Sequence, residues 1–131
     1  MGKKAARQKD QLDGFGIHTL KPFIPQLPPF PMFYTFKGEI KEMVSFNVRI
    51  QGKPAAMVFT VAVNKPKHKP LPGTKFLVPP TNRGFIAFGS KKVKINKRAA
   101  AREGDKGFTD SEIPLPIATV KIKGSRTVRI G

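Results

Sequence analysis

Three stretches of this chain are near-copies of one another, and an internal repeat fixes the symmetry of a fold before local propensity has any say. They are Lys3-Lys4-Ala5-Ala6-Arg7-Gln8-Lys9-Asp10, Lys53-Pro54-Ala55-Ala56-Met57-Val58-Phe59-Thr60 and Arg98-Ala99-Ala100-Ala101-Arg102-Glu103-Gly104-Asp105. Each carries a basic residue, an Ala pair and then an Arg-like position. The second and third follow similar alternating runs, Phe46-Asn47-Val48-Arg49-Ile50-Gln51-Gly52 and Lys92-Val93-Lys94-Ile95-Asn96-Lys97. A threefold repeat in a chain of 131 residues predicts a pseudo-threefold object.

The ends of the repeats vary together. Arg7 is followed by Asp10 and Arg102 by Asp105, whereas Met57 is followed by Thr60. Losing both charges at once is expected of a side-chain pair that clamps a turn, because a lone, partly buried charge is costly. Gly104 is expected to supply a turn conformation that other residues resist.

Thirteen prolines and twelve glycines are spread along the chain and leave no long stripe of helical period. Alternating pairs recur instead: Phe46/Val48/Ile50, Val93/Ile95, Val120/Ile122 and Val128/Ile130, with polar residues between them. That is the period of half-buried strands. The expected fold is all-β, one domain over residues 1–131, built of short hairpins and long Pro-rich loops with little or no helix. Residues 44–63 predict a hairpin turning near Gln51-Gly52, and residues 64–84 a loop. Residues 85–105 predict strands around a Gly89-Ser90 turn, and residues 117–130 a closing hairpin turning at Gly124-Ser125. Residues 22–36 form a Pro-rich apolar insertion between the first and second repeats, expected to be extended or polyproline-like. Its Phe23, Phe30, Phe33, Tyr34 and Phe36 point to packing on the domain or on a partner.

Cysteine is absent, which excludes disulfides, thiolate nucleophiles and thiolate metal ligands. No apolar stretch follows Met1-Gly2-Lys3-Lys4, so synthesis in the cytoplasm without a signal peptide is expected. The longest apolar run, Ala55 to Val63, is far shorter than the ~20 residues of a membrane-spanning helix.

With these repeats, and with Asn64 to Phe76, the Pro79-Pro80-Thr81-Asn82-Arg83-Gly84 stretch, Gly89 to Asp105 and the closing Thr127-Val128-Arg129-Ile130-Gly131, the chain resembles the PAAR-repeat family, named for a Pro-Ala-Ala-Arg motif. The resemblance covers most of residues 44–131 and extends more weakly over residues 1–20. It implies a small β-cone that caps and sharpens the trimeric β-helical spike of a contractile injection system, whether type VI secretion, a phage-tail-like particle or an extracellular injection particle. One copy would sit on each trimer at the tip of the particle, be delivered outside or into a target cell, touch the target membrane transiently and accompany cargo or effector proteins. The motif residues it marks are Ala5, Ala6, Arg7, Asp10, Pro54, Ala55, Ala56, Ala100, Ala101, Arg102, Gly104 and Asp105. A single chain meeting a trimer needs three similar surfaces, which the repeats could supply.

Members of that family resemble one another in a vertex zinc held by three His and one Cys. Here His18 lies eleven residues after Arg7, and His68 eleven after Met57; the third equivalent is Ile113. The family Cys falls near Asp110 and another family His near Met32. Asp110 or Asp13 could add an oxygen ligand, but a structural zinc site takes four ligands. No cofactor is expected, with zinc at His18 and His68 the one possible exception.

The alternative is a basic β-fold that binds nucleic acid. The net charge is +17, and Met43 to Arg102 holds thirteen Lys or Arg and no acid. A basic face serves other anions equally well, so no specific nucleic acid is expected. Asp110 and Glu112 would share one face of a strand, but no nucleophile or Ser/His/Asp arrangement accompanies them, and no enzymatic activity is expected.

Overall fold

The three repeats meet at their second alanines. The Ala6 N–H donates to the Ala101 carbonyl (3.0 Å), the Ala101 N–H to the Ala56 carbonyl (3.1 Å), and the Ala56 N–H to the Ala6 carbonyl (3.0 Å), closing a ring. Single-residue antiparallel bridges brace it: Ala5 with Arg102, Arg7 with Ala55 and Met57 with Ala100. The structure, a computed structural model, describes residues 2–131. Its strands are β1 (Lys3–Lys4), β2 (Gln11–Pro22), β3 (Phe30–Glu42), β4 (Arg49–Ile50), β5 (Lys53–Pro54), β6 (Val61–Asn64), β7 (Thr74–Phe76), β8 (Arg83–Ile86), β9 (Lys94–Ile95), β10 (Arg98–Ala99), β11 (Lys106–Phe108), β12 (Ala118–Lys121) and β13 (Arg129–Ile130). No helix occurs among the described residues. The protein is all-β and pseudo-threefold.

On one side of the ring rises a shaft. Each repeat turns through a left-handed residue, Lys9 (φ 75°), Phe59 (φ 76°) or Gly104 (φ 86°). Each then enters one of the antiparallel pairs β2–β3, β6–β8 and β11–β12. Further pairings β3–β6, β8–β11 and β12–β2 close these six strands on themselves near the ring, which removes there the exposed edges an open sheet would leave. The turn contacts repeat atom for atom. Lys9, Phe59 and Gly104 N–H groups donate to the carbonyls of Ile40, Ile86 and Val120.

Packing in the shaft departs from symmetry for a steric reason. Three large side chains do not fit at one level around a narrow axis. Equivalent inward positions therefore carry Leu12, Ala62 and Gly107, and further along Phe36 crosses the interior where Gly38 and Gly84 make room. A Cβ on Gly38 would lie 2.6 Å from the Phe36 ring, and one on Gly107 would lie 2.3 Å from the Phe85 carbonyl.

On the other side of the ring, three two-stranded ribbons form the base. β4–β5 turns at Gln51 (φ 49°) and Gly52 (φ 87°), and β9–β10 at Asn96 (φ 52°) and Lys97 (φ 71°), both with the paired positive φ of a tight hairpin. In the third ribbon β1 pairs with β13, so the two ends of the described chain stand where the other ribbons have a turn. The repeated Ala pair serves the two sides separately. Ala5, Ala55 and Ala100 pack in the base with Ile50, Ile95 and Ile130, while Ala6, Ala56 and Ala101 face the shaft core.

Several expectations are corrected. Residues 117–130 do not form a hairpin at Gly124-Ser125: β12 joins β11 and β2, and β13 joins β1. The turn of the third repeat is Asn96-Lys97 rather than Gly89-Ser90. The hairpin at Gln51-Gly52 is short, since β6 leaves it to pair with β3 and β8. Residues 64–84 contain β7, which pairs with the far half of β2. Not every hairpin is short, because β2 and β3 span 12 and 13 residues. The Pro-rich insertion supplies most of β3. Pro31 is tolerated there because β3 pairs with β6 only at Gly38 to Glu42 and is an edge strand at Pro31.

Candidate functional site

The base carries the motif residues, and its turns explain what the acids do. Asp10, Thr60 and Asp105 occupy equivalent positions, and each accepts a hydrogen bond from the backbone N–H three residues before it: Arg7 (2.9 Å), Met57 (3.0 Å) and Arg102 (2.7 Å). The common requirement is an acceptor for that N–H, which a Thr hydroxyl meets as well as a carboxylate. The expected side-chain clamp exists only in the third repeat, where Arg102 Nη2 and Nε reach the two Asp105 oxygens at 3.0 and 3.2 Å. In the first repeat it is corrected. Arg7 Nη1 turns away to the carbonyls of Ile50 (3.2 Å) and Gln51 (2.6 Å), and Asp10 is paired with Arg126. Gly104 does take a positive φ, but Lys9 and Phe59 take it too, so glycine is not required there. Pro54 lies in β5, and its carbonyl accepts from Gln8 N–H at 2.8 Å.

At the outer rim of the base the symmetry extends to charge. Arg49, Lys94 and Arg129 each immediately precede the buried isoleucines Ile50, Ile95 and Ile130, and all three are exposed. Their strand neighbours Lys3, Lys53 and Arg98 pair directly with Ile130, Ile50 and Ile95.

A second constellation lies far up the shaft. β2 carries His18 inward, and the loop after β6 brings His68 to it, with ring centroids 4.9 Å apart. Asp110, just after β11, bridges them: His18 Nε2 is 3.2 Å from its Oδ1, and His68 Nε2 is 3.1 Å from its Oδ2. All three side chains are essentially buried. Burial pushes the Asp110 carboxyl up, but the hydrogen bond from His18 and the charges of His68 and His18 outweigh it and hold the group below its ordinary value.

Residues not foreseen from sequence complete the surroundings. The Asn82 N–H donates to Asp110 Oδ2 (3.1 Å), while its side-chain oxygen accepts from the His68 N–H (2.9 Å) and from Asn64 Nδ2 (3.1 Å). The Tyr34 ring packs edge-on to both imidazoles and its hydroxyl donates to the Lys69 carbonyl at 2.8 Å. The one available signal was that both Asn residues flank Pro-rich loops, where an amide commonly ties down backbone.

His18, His68 and Asp110 each offer a ligand atom, all within 4.8 Å of one another. Asp13 does not join them; it faces Lys37 and Thr119 lower on the shaft and lies 3.9 Å from Lys121. Ile113 is half-exposed, and Met32 pairs with His18 across β2 and β3. The donor set falls short of a closed structural zinc centre by one ligand. Among the described residues the buried Nδ1 of His18 has no partner, whereas a ligating imidazole ordinarily donates its other N–H to an acceptor. As it stands, the group is a hydrogen-bonded plug in which one carboxylate ties two strands and a loop together.

Searches against protein-family models, curated proteins and solved structures each returned no match.

Proposed function

We propose that this protein is the tip of a contractile injection system, a PAAR-like cap seated through its base on a trimeric β-helical spike and used to pierce a target envelope. The observation that carries the reading is the closed ring of hydrogen bonds among Ala6, Ala56 and Ala101. One chain has little reason to maintain three equivalent ribbons around an axis unless the partner has three equivalent chains. The base core is already covered, with Ile50, Ile95 and Ile130 only 5–7% exposed, so the cap folds before it docks. The shaft would then point away from the spike, with the long β2–β3 hairpin leading. On this reading the protein rides at the tip of the particle, leaves the cell with it, carries no catalytic site and accompanies whatever cargo the spike delivers.

The test is stoichiometry. Co-expressed with the trimeric spike protein of its source, the cap should give a native mass corresponding to one copy per trimer. A complex with three copies per trimer would refute the symmetry argument.

Binding to nucleic acid is favoured by one local feature. Arg98 lies 5.5 Å over the Phe59 ring, next to Phe85 and Phe108, whose centroids are 5.1 Å apart. A stacking role predicts tight, salt-sensitive binding of single-stranded oligonucleotides that Phe59→Ala abolishes.

A further inference from the structure

The pseudo-threefold base says something about the partner's chemistry as well as its symmetry. Six rim positions fall into two sets related by the threefold: Arg49, Lys94 and Arg129, and Lys3, Lys53 and Arg98. All six are basic, although basic residues make up only 25 of the 131 in the chain. Equivalence extends to side-chain geometry. Arg49 Nη1 donates to the Gly52 carbonyl (3.0 Å), and Arg129 Nη1 donates to the Gly2 carbonyl (3.2 Å) at the corresponding place in its ribbon.

Ion pairing does not account for this pattern. None of the six is ion-paired among the described residues; the ion pairs that exist involve other cations. Arg129 stands directly across the ladder from Lys4, a like-charge pairing that costs stability. One residue before Arg49, Lys94 and Arg129 stand the equivalent Val48, Val93 and Val128, the last two 38% and 39% exposed. The base thus carries a threefold-equivalent set of positive charges with no ion-pair partner among the described residues, and two of its three sectors expose a valine beside them.

We propose that this surface docks on an acidic trimer end: a homotrimer in which each chain presents carboxylates to one Arg49-type and one Lys3-type cation. The inference rests on the spike-tip reading for its partner and adds the partner's charge. Complementary charge set three times over would fix the rotational register and speed encounter more than it would raise affinity through any single pair.

A defined probe tests it: a homotrimer carrying a short Glu tract on a flexible Gly-Ser linker at each chain end, compared with a Gln-tract twin and with the monomeric Glu peptide. The cap should bind the Glu trimer at least about tenfold more tightly than either control, and added salt should weaken it. The triple variant Arg49→Gln/Lys94→Gln/Arg129→Gln should lose about tenfold or more, and Arg49→Lys/Arg129→Lys should keep binding. The triple variant Lys37→Gln/Lys67→Gln/Lys75→Gln, with the same charge change on the shaft, should bind as the parent does. Equal loss in the base and shaft triples, or equal binding of the Gln trimer, would overturn the proposal. The two readings fail separately. A one-to-three complex with the spike that ignores both salt and the base triple refutes the acidic end and leaves the cap. Binding of the Glu trimer without any one-to-three spike complex refutes the cap and leaves the charge chemistry.

Discussion

Arg126 holds the carboxylate of Asp10. Nη1 lies 2.7 Å from Oδ2 and Nη2 lies 2.9 Å from Oδ1, and both side chains are almost wholly buried. The same guanidinium reaches the carbonyls of Ala5 (2.7 Å) and Lys123 (3.1 Å). In the other two repeats the equivalent alanine carbonyls, of Ala55 and Ala100, accept from the backbone N–H groups of Ser45 and Ser90. A long cation from near the end of the chain thus completes the third sector, where the ribbon consists of two separate chain ends.

Removing that cation leaves a buried, unpaired Asp10. Arg126→Ala is expected to cost roughly 3–5 kcal/mol. Arg102→Ala, which frees the less buried Asp105, should cost roughly 1–3 kcal/mol, and Arg7→Ala, which loses bonds only to carbonyls, about 1 kcal/mol. Urea denaturation of the three variants checks the order. A larger loss for Arg7→Ala than for Arg126→Ala would mean that the Asp10 pairing is assigned to the wrong arginine.

The alanine ring tolerates no added volume. Ala6, Ala56 and Ala101 are fully buried, and their backbones bond directly to one another. Ala101→Val should therefore cost about 1–3 kcal/mol by overpacking, and Ala56→Val a similar amount. Ala99→Val, two positions before the ring residue and only half-buried, should be nearly neutral in thermal melting. Equal effects at Ala99 and Ala101 would show that the ring is not a tight contact.

The symmetry was legible because the Ala pairs and the Val-x-Ile runs before them are local and repeat in register. The shaft was harder to read, since its paired strands are separated by segments of unequal length: 23–29 between β2 and β3, 65–82 between β6 and β8, and 109–117 between β11 and β12. Asp10 shows the limit plainly. Co-variation of Arg7 with Asp10 and of Met57 with Thr60 looked like side-chain pairing, yet the shared need is an acceptor for a backbone N–H. Arg126 stands where the other two runs have Phe46 and Lys91, and nothing in its neighbourhood announced a partner more than a hundred residues away. At the vertex, equal offsets placed His18 and His68 together, but the third sector contributes Asp110, just after β11, while the equivalent Ile113 is half-exposed.

One substitution probes the vertex group as a metal site. With two imidazoles and one carboxylate, zinc is expected to bind weakly and to be removed by dialysis against a chelator. Asp110→Cys would supply a softer thiolate at the same place, and zinc affinity should rise by at least about tenfold. Competition with a chromophoric chelator measures it. Zinc already held tightly by the parent, and lost in His68→Ala, would show that a fourth ligand is present and that the donor set is complete.

Acid should loosen the vertex first. Asp110 titrates below its ordinary value of 3.8 in the folded state, because the hydrogen bond from His18 and the charges of His68 and His18 more than offset the upward push of burial. A depressed carboxyl binds fewer protons folded than unfolded within that window, so stability rises with pH there. The contribution is fully present above the ordinary value and is lost as pH falls through the depressed one. Glu39, lowered mainly by its hydrogen bond from Lys65, acts in the same direction, so some acid slope will remain in any single variant. Asp110→Asn should start less stable at neutral pH and then lose less than the parent on acidification to about pH 3. The measurement is the urea midpoint of both proteins, washed with chelator, across that range. Parallel pH profiles for parent and variant would exclude Asp110 as the source of the acid sensitivity.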